Sequence, residues 1–305
     1  MNFADRLAAV VTERQSQVAL GLDPDPERLL PEAVSRASSA DGSAADRAAL
    51  AVALHCRALI EAAGPACAAV KLQLACFERL GAPGWAALAD ACAAGRAAGL
   101  LVIADGKRGD VPHTAAAYAQ ALVGETPTPF GEVPGLGADA ITLNPLLGRD
   151  ALAPLIEAAR ARGGGSFVLV RTSNEGAAEI QDEAPAGAPP LRERLARLVD
   201  ALGAAGVGEC GLADVGAVVA ATEPALLAGL RDAMPRAVFL LPGVGAQGGR
   251  AELLGPAFAS GRSAALIAAS RSIVGPALDA GAAEAAREAA EALRESAWEV
   301  SSPPH

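Results

Sequence analysis

Lysine is almost missing from this chain, with Lys71 and Lys107 set against twenty-three arginines. The scarcity removes lysine as a general surface cation and marks both survivors as candidates for chemistry that a guanidinium cannot do. An arginine in a protein keeps its proton, whereas a lysine ammonium can release one and its pKa moves with its surroundings. Histidine is nearly as scarce, at positions 55, 113 and 305 only, which argues against a histidine-based triad or a multi-histidine zinc site. The five cysteines, Cys56, Cys67, Cys76, Cys92 and Cys210, are odd in number and lack CxxC or Cys/His metal spacing. They read as small buried hydrophobes in a reducing compartment rather than as a disulfide framework. No run approaches the roughly 20 consecutive apolar residues of a membrane span. Residues 1–15 are charged and lack a signal-peptide core, so a cytoplasmic protein without a membrane partner is expected. Positive charge is also short: the net charge is −10, which argues against nucleic acid as a partner. Any anionic ligand must be met by a local cluster.

What the chain does have is alanine, leucine and short apolar runs. It is 52% hydrophobic but only 3% aromatic, a composition suited to alanine-rich helices packed on Val/Ile/Leu strands. Eight such runs recur, at 18–22, 68–72, 100–104, 138–143, 166–170, 215–220, 237–241 and 264–268. Near-continuous apolar strands alternating with helices argue for a parallel sheet buried on both faces. Eight units argue for closure into an α/β fold of the (β/α)8 TIM-barrel type, for which 305 residues suffice as a single domain. An open doubly wound sheet is the alternative, but no Gly-rich dinucleotide fingerprint follows the first run. Helices are expected over 46–62, 85–98, 150–162 and 282–299, the last closing the barrel before a polar tail with Pro303 and Pro304. Segments 35–45, 125–134 and 182–190 read as peripheral insertions or loops.

In such barrels the catalytic face lies at the C-terminal ends of the strands, and here those ends are polar. They carry Asp23, then Lys71 and Gln73, then Asp105 through Asp110, Asn144, Arg171 through Asn174, the Gly-rich run 242–249, and Ser270-Arg271-Ser272. Seven polar ends are expected to point into one pocket. The last two occupy the place where these barrels hold a phosphate on backbone N–H groups, and Arg271 would add a bidentate charge. Lys107 is bracketed in sequence by Asp105 and Asp110. With Lys71 and a second acidic group beside them, charges would alternate in sign and keep each lysine protonated. A network so costly to desolvate points to function rather than stability.

These residues resemble orotidine 5′-phosphate decarboxylase, in its longer bacterial branch. Asp105-Gly106-Lys107-Arg108-Gly109-Asp110-Val111 with Thr114 is similar to that family's Asp-x-Lys-Arg-x-Asp-Ile-x-x-Thr signature. Val70-Lys71-Leu72-Gln73 with Phe77-Glu78, the run 144–150, Thr172-Ser173-Asn174, the run 242–248 and Ser270-Arg271-Ser272-Ile273 extend the likeness over most of the chain. Leu72 stands where proline is usual, Pro112-His113 replaces the common Gly-Ser or Gly-Asn, and Glu175 stands where proline is expected. His113 reads as a loop residue.

The resemblance implies decarboxylation of orotidine 5′-monophosphate to UMP, the last step of de novo pyrimidine nucleotide synthesis, with no metal or organic cofactor. By the same resemblance Lys107 delivers the proton to C6, Asp105 faces the departing carboxylate, and Lys71 orients Asp105. Asp110 and Thr114 would complete the partner's site in a homodimer. Asp23 would bind a ribose hydroxyl, Ser173 the pyrimidine edge, Gln247 both base and phosphate, and Arg271 the phosphate, with Ser270 beside it as a further substrate-binding candidate from its place at the end of the eighth strand. Two other readings are open. A Mg²⁺-dependent ketose-phosphate decarboxylase or aldolase of the same superfamily would need an acidic metal ligand where this chain has Lys71. A catalytically silent nucleotide-binding barrel would keep the phosphate grip and lose the reacting groups.

Overall fold

Alternation of side chains along short parallel strands decides what this protein can place in its centre. The computed structural model describes residues 1–302; the tail prolines and His305 lie outside the described residues. Eight strands form the barrel: β1 Val18–Leu22, β2 Ala69–Gln73, β3 Leu101–Arg108, β4 Ala140–Leu143, β5 Gly165–Arg171, β6 Val215–Val219, β7 Phe239–Pro242 and β8 Ala265–Ala269. Each pairs in parallel with its neighbours, and β8 closes on β1 through Val18 opposite Ile267. The expected fold is the observed one, with strand limits shifted by a few residues. The largest difference is β3, which runs on through the charged segment to Arg108.

Strand parity divides the core in two. Val70, Leu72, Val102, Ala104, Ile141, Leu143, Val168 and Val170 face outward and pack beneath the helices. Ala19, Ala69, Leu101, Ile103, Ala140, Phe167, Val218, Leu240 and Leu266 face the barrel interior. Residues two further along the same inward rows are Gly21, Lys71, Asp105, Thr142 and Ala268, so β2, β3 and β4 carry their inward rows from apolar floor to polar mouth.

The helices of eight or more residues are α1 Phe3–Arg14, α2 Pro31–Ser38, α3 Ala44–Ala63, α4 Ala82–Ala97, α5 Pro112–Leu122, α6 Arg149–Ala161, α7 Leu191–Gly203, α8 Pro224–Ala233, α9 Arg271–Ala280 and α10 Glu284–Val300. The first was not expected. Its Phe3, Leu7 and Val11 recur every fourth residue, form one face, and seal the N-terminal end of the barrel against the inward floor. Phe3 meets Phe167 edge-on at 5.8 Å between ring centroids. A Cβ on Gly165 would lie 2.4 Å from the Phe3 ring, so a glycine is needed where the plug enters.

Two of the three expected insertions are ordered differently from a loop. Segment 35–45 begins inside α2, which Pro31 starts from its first turn. Segment 125–134 is an antiparallel hairpin of Glu125–Thr128 with Gly131–Pro134. His113 sits in the first turn of α5 rather than in a loop. Helix α3 is long and apolar enough to cross a membrane by length and composition alone, although Asp46, Arg47, Arg57 and Glu61 interrupt its apolar runs. Its apolar face instead packs between α4 and α10 over the strands. On α3, His55 is buried and accepts a hydrogen bond from the Leu30 N–H at 3.3 Å; burial lowers its pKa to about 4. Cys56, Cys67 and Cys92 are core residues, with burial pushing the last two thiols up to about 12, while Cys210 is exposed, against expectation.

Candidate active site

The inward rows end in a cavity of about 470 Å³ at the C-terminal mouth of the barrel. Asp23, Lys71, Asp105, Lys107, Ser173, Gln247, Ser270 and Arg271 line it together. Asp110 and Thr114 do not. Asp110 follows β3, and its carboxylate accepts from the neighbouring Val111 N–H at 2.8 Å. Thr114 lies in the first turn of α5. Asn144 also stays out of the cavity. Its Oδ1 accepts from the Leu146 N–H at 3.0 Å in a turn, so the fourth strand's contribution to the cavity is Thr142, two residues earlier on the inward row.

Asp105 is the centre of the arrangement. Its Oδ1 accepts from Lys107 Nζ at 2.7 Å and from Thr142 Oγ1 at 2.8 Å. Its Oδ2 accepts from Lys71 Nζ at 2.9 Å and from Gln73 Nε2 at 3.2 Å. Four donors match the roughly four lone-pair sites of a carboxylate, so this group is fixed in orientation and fully engaged. Lys71 reaches further to Asp23, 3.5 Å away. The charges therefore alternate from Asp23 through Lys71 and Asp105 to Lys107. Asp23 is the second acidic member within the chain's own cavity.

Burial and charge act against each other here. Desolvation works to raise the Asp105 carboxyl, but Lys71 and Lys107 outweigh it and hold its pKa well below the usual carboxylate range. Burial likewise works to lower the Lys71 ammonium, and Asp105 and Asp23 outweigh it, leaving the pKa above the ordinary lysine value. Both groups remain ionised across the neutral range. Lys107 differs in access: its side chain keeps 42% exposure against 8% for Lys71, so only Lys107 can meet both a ligand and solvent.

The remaining walls come from three loops. After β5, Thr172, Ser173 and Asn174 face the cavity. Gln181 joins them from the short helix Ala177–Gln181, its Oε1 accepting from the Thr172 N–H at 2.8 Å. Arg171 turns away from the cavity and grips Asp182 through Nε and Nη2 at 3.0 and 3.1 Å, while Arg192 reaches the same carboxylate at 2.8 Å. The 182–190 segment is thus anchored to the barrel at its first residue. After β7, the loop carrying Gly243, Gly245 and Gly248 brings Gln247 to the cavity. After β8, Ser270 stands just before α9, without a side-chain capping hydrogen bond, and Arg271 is the helix's first residue. Gly21 must lack a side chain, since a Cβ there would lie 2.0 Å from Ser270 Oγ.

Sequence reasoning passed over Thr142 and Gln181 as cavity residues, and Gln73 as a ligand of Asp105. The signal for Thr142 was available. A lone hydroxyl stands on the inward row of an otherwise apolar strand, in step with Ala140. Gln181 carries no such signal, because it comes from outside the barrel strands.

The family model for "Orotidine 5'-phosphate decarboxylase / HUMPS family" matches residues 17–286. The chain belongs to that family. Within it, the chain is 41% identical over 295 residues to the orotidine 5′-phosphate decarboxylase of Deinococcus radiodurans, covering 96% of each. It is 39% identical to that of Rhodopirellula baltica over 90% of this chain and 88% of the relative. Among solved structures, the OMP decarboxylase of Leishmania donovani superposes with a TM-score of 0.75 at 31% identity, with 99% of each chain covered. The closed eight-stranded barrel is thus the fold of this family.

Proposed function

We propose that this chain decarboxylates orotidine 5′-monophosphate to UMP in the cytoplasm as a homodimer, using its own charged side chains. The observation that carries the reading is the Lys71–Asp105–Lys107 array, with contacts of 2.9 and 2.7 Å, in one cavity with Arg271. Breaking the C6–carboxylate bond leaves its electron pair on C6, an anion with little intrinsic delocalisation. An ammonium held beside C6 stabilises that pair electrostatically and then supplies the proton that replaces CO₂. Lys107 suits this role by being half exposed, so the amine left behind regains a proton from solvent. Asp105, engaged by four donors and ionised, faces the departing carboxylate with fixed negative charge and holds both lysines in register. Lys71 neutralises Asp105 from behind.

Arg271 at the start of α9 and the Gly-rich loop before it suit a phosphate, and Ser270 closes that end. Ser173 and Gln247 suit the polar edge of the pyrimidine, and Asp23 a ribose hydroxyl. Binding energy at the remote phosphate assists the chemistry at C6. At the mouth, Gly109 lies against Asn144, so the loop bearing Asp110 adjoins the one bearing Leu146. Val111, Leu146 and Leu147 are exposed there, which supports a partner subunit covering this rim and receiving Asp110 and Thr114. The end of β2 offers an ammonium where a metal-dependent ketose-phosphate enzyme needs an acidic ligand.

The test is the ultraviolet absorbance change on mixing the protein with orotidine 5′-monophosphate in EDTA, beside Lys107→Ala. Loss of substrate absorbance with the wild type alone is expected. No change with the wild type in EDTA, and turnover of a ketose phosphate on adding Mg²⁺, would overturn the reading.

A further inference from the structure

The pairing of β3 with β4 shifts register between Ala104 and Arg108, and Lys107 lies inside that irregularity with φ +48°. This is left-handed backbone, uncommon for a residue with a side chain, and it persists only where the surroundings hold it. A bulge also removes the ladder partner of the residue it displaces. The Lys107 N–H is taken instead by a side chain, Thr142 Oγ1, at 2.9 Å. Thr142 is buried at 1% exposure and lines the cavity.

The direction of each bond follows from donor chemistry. A backbone N–H only donates, so Oγ1 accepts from Lys107. An ionised carboxylate only accepts, so the single hydroxyl hydrogen of Thr142 is given to Asp105 Oδ1, 2.8 Å away. That oxygen is the one Lys107 Nζ reaches at 2.7 Å. Lys107 backbone, Thr142 hydroxyl, Asp105 carboxylate and Lys107 ammonium therefore form a closed ring, in which the lysine is held at both ends.

We infer that Thr142 is a positioning residue of this active site. Its hydroxyl fixes the left-handed backbone of Lys107 and the rotamer of Asp105 together, and so sets where the lysine proton sits relative to the reacting carbon. The inference rests on the decarboxylase reading above. It has a distinct consequence, since Thr142 acts on the placement of Lys107 and not on the phosphate grip by which most of the substrate is held.

Thr142→Val keeps the β-branched shape and removes the hydroxyl; Thr142→Ser keeps the hydroxyl and removes the methyl. With orotidine 5′-monophosphate, Thr142→Val should lower kcat by about 10- to 100-fold, as for loss of one preorganised group. KM and UMP affinity should stay within about threefold, the pattern of an interaction that matters in the transition state. Thr142→Ser should return kcat to within about threefold of wild type. Wild-type kcat in a folded Thr142→Val, or an equal kcat loss in Thr142→Ser, would overturn the inference. If Thr142→Val does not fold, Thr142→Ala against Thr142→Ser gives the same comparison. A wild type with no turnover would instead sink the decarboxylase reading, leaving these outcomes separable.

Discussion

Lys107 and Lys71 carry the same charge and lie on the same carboxylate, yet their surroundings give them different work. Lys71 is closed off between Asp105 and Asp23, where burial and two anions leave it a permanent counter-charge. Lys107 stands on a bulge with open access to the cavity, which suits it to the proposed role of proton donor. An arginine at 107 would keep the charge and lose the transferable proton. Lys107→Arg is therefore expected to cost turnover at least about 10²-fold, the usual worth of a positioned proton donor, while UMP binding measured by calorimetry is partly retained. Turnover near wild type in that variant would remove Lys107 from the donor role. At this scale the sequence was most informative where residue type is rare: two lysines among arginines marked the centre directly. It was least informative where a residue works through its neighbours. Thr142 could be read as a hydroxyl on an inward row, but the register shift that ties it to Lys107 is announced by no local pattern. Asn144, more conspicuous in the chain, spends its side chain on a turn.

Among the elements, the strands were legible because both faces are buried, which writes an apolar run long enough to see. Helix α2 and the 125–134 hairpin were not, since the first is short and the second carries prolines and an exposed turn in place of a strand signature. Helix α1 had a readable stripe at positions 3, 7 and 11, but nothing in that stripe says that its partner is the inside of a barrel. Its role can be tested. Truncating Phe3 to alanine removes the ring that meets Phe167 at 5.8 Å and leaves a void beneath the inward rows. Urea unfolding of Phe3→Ala should show a loss of about 3–5 kcal/mol, with kcat for the folded enzyme unchanged because the plug lies at the opposite end from the cavity. A loss below about 1 kcal/mol would mean that the floor repacks without it.

For the whole molecule, the question is whether one barrel contains a complete site. Asp110 and Thr114, proposed to complete a partner's site, lie outside the chain's own cavity, so a dimer with shared sites makes a quantitative prediction. Lys107→Ala and Asp110→Ala should each be nearly inactive alone. Mixed and allowed to exchange subunits, half of the dimers are heterologous and each contains one intact site. About a quarter of the wild-type rate should return, as symmetry requires, and no recovery would mean that each barrel works alone. The closed ring of strands has a further consequence, for synthesis. The first strand pairs with the last, Val18 opposite Ile267, and α1 shares one apolar cluster with Leu240 and Leu266. The apolar face of α1 and the edge of β1 therefore complete their packing only after β8 has left the ribosome. Until then Phe3, Leu7, Val11 and the free edge of β1 are open to other contacts, which makes the nascent chain, rather than the finished barrel, the form most exposed to aggregation.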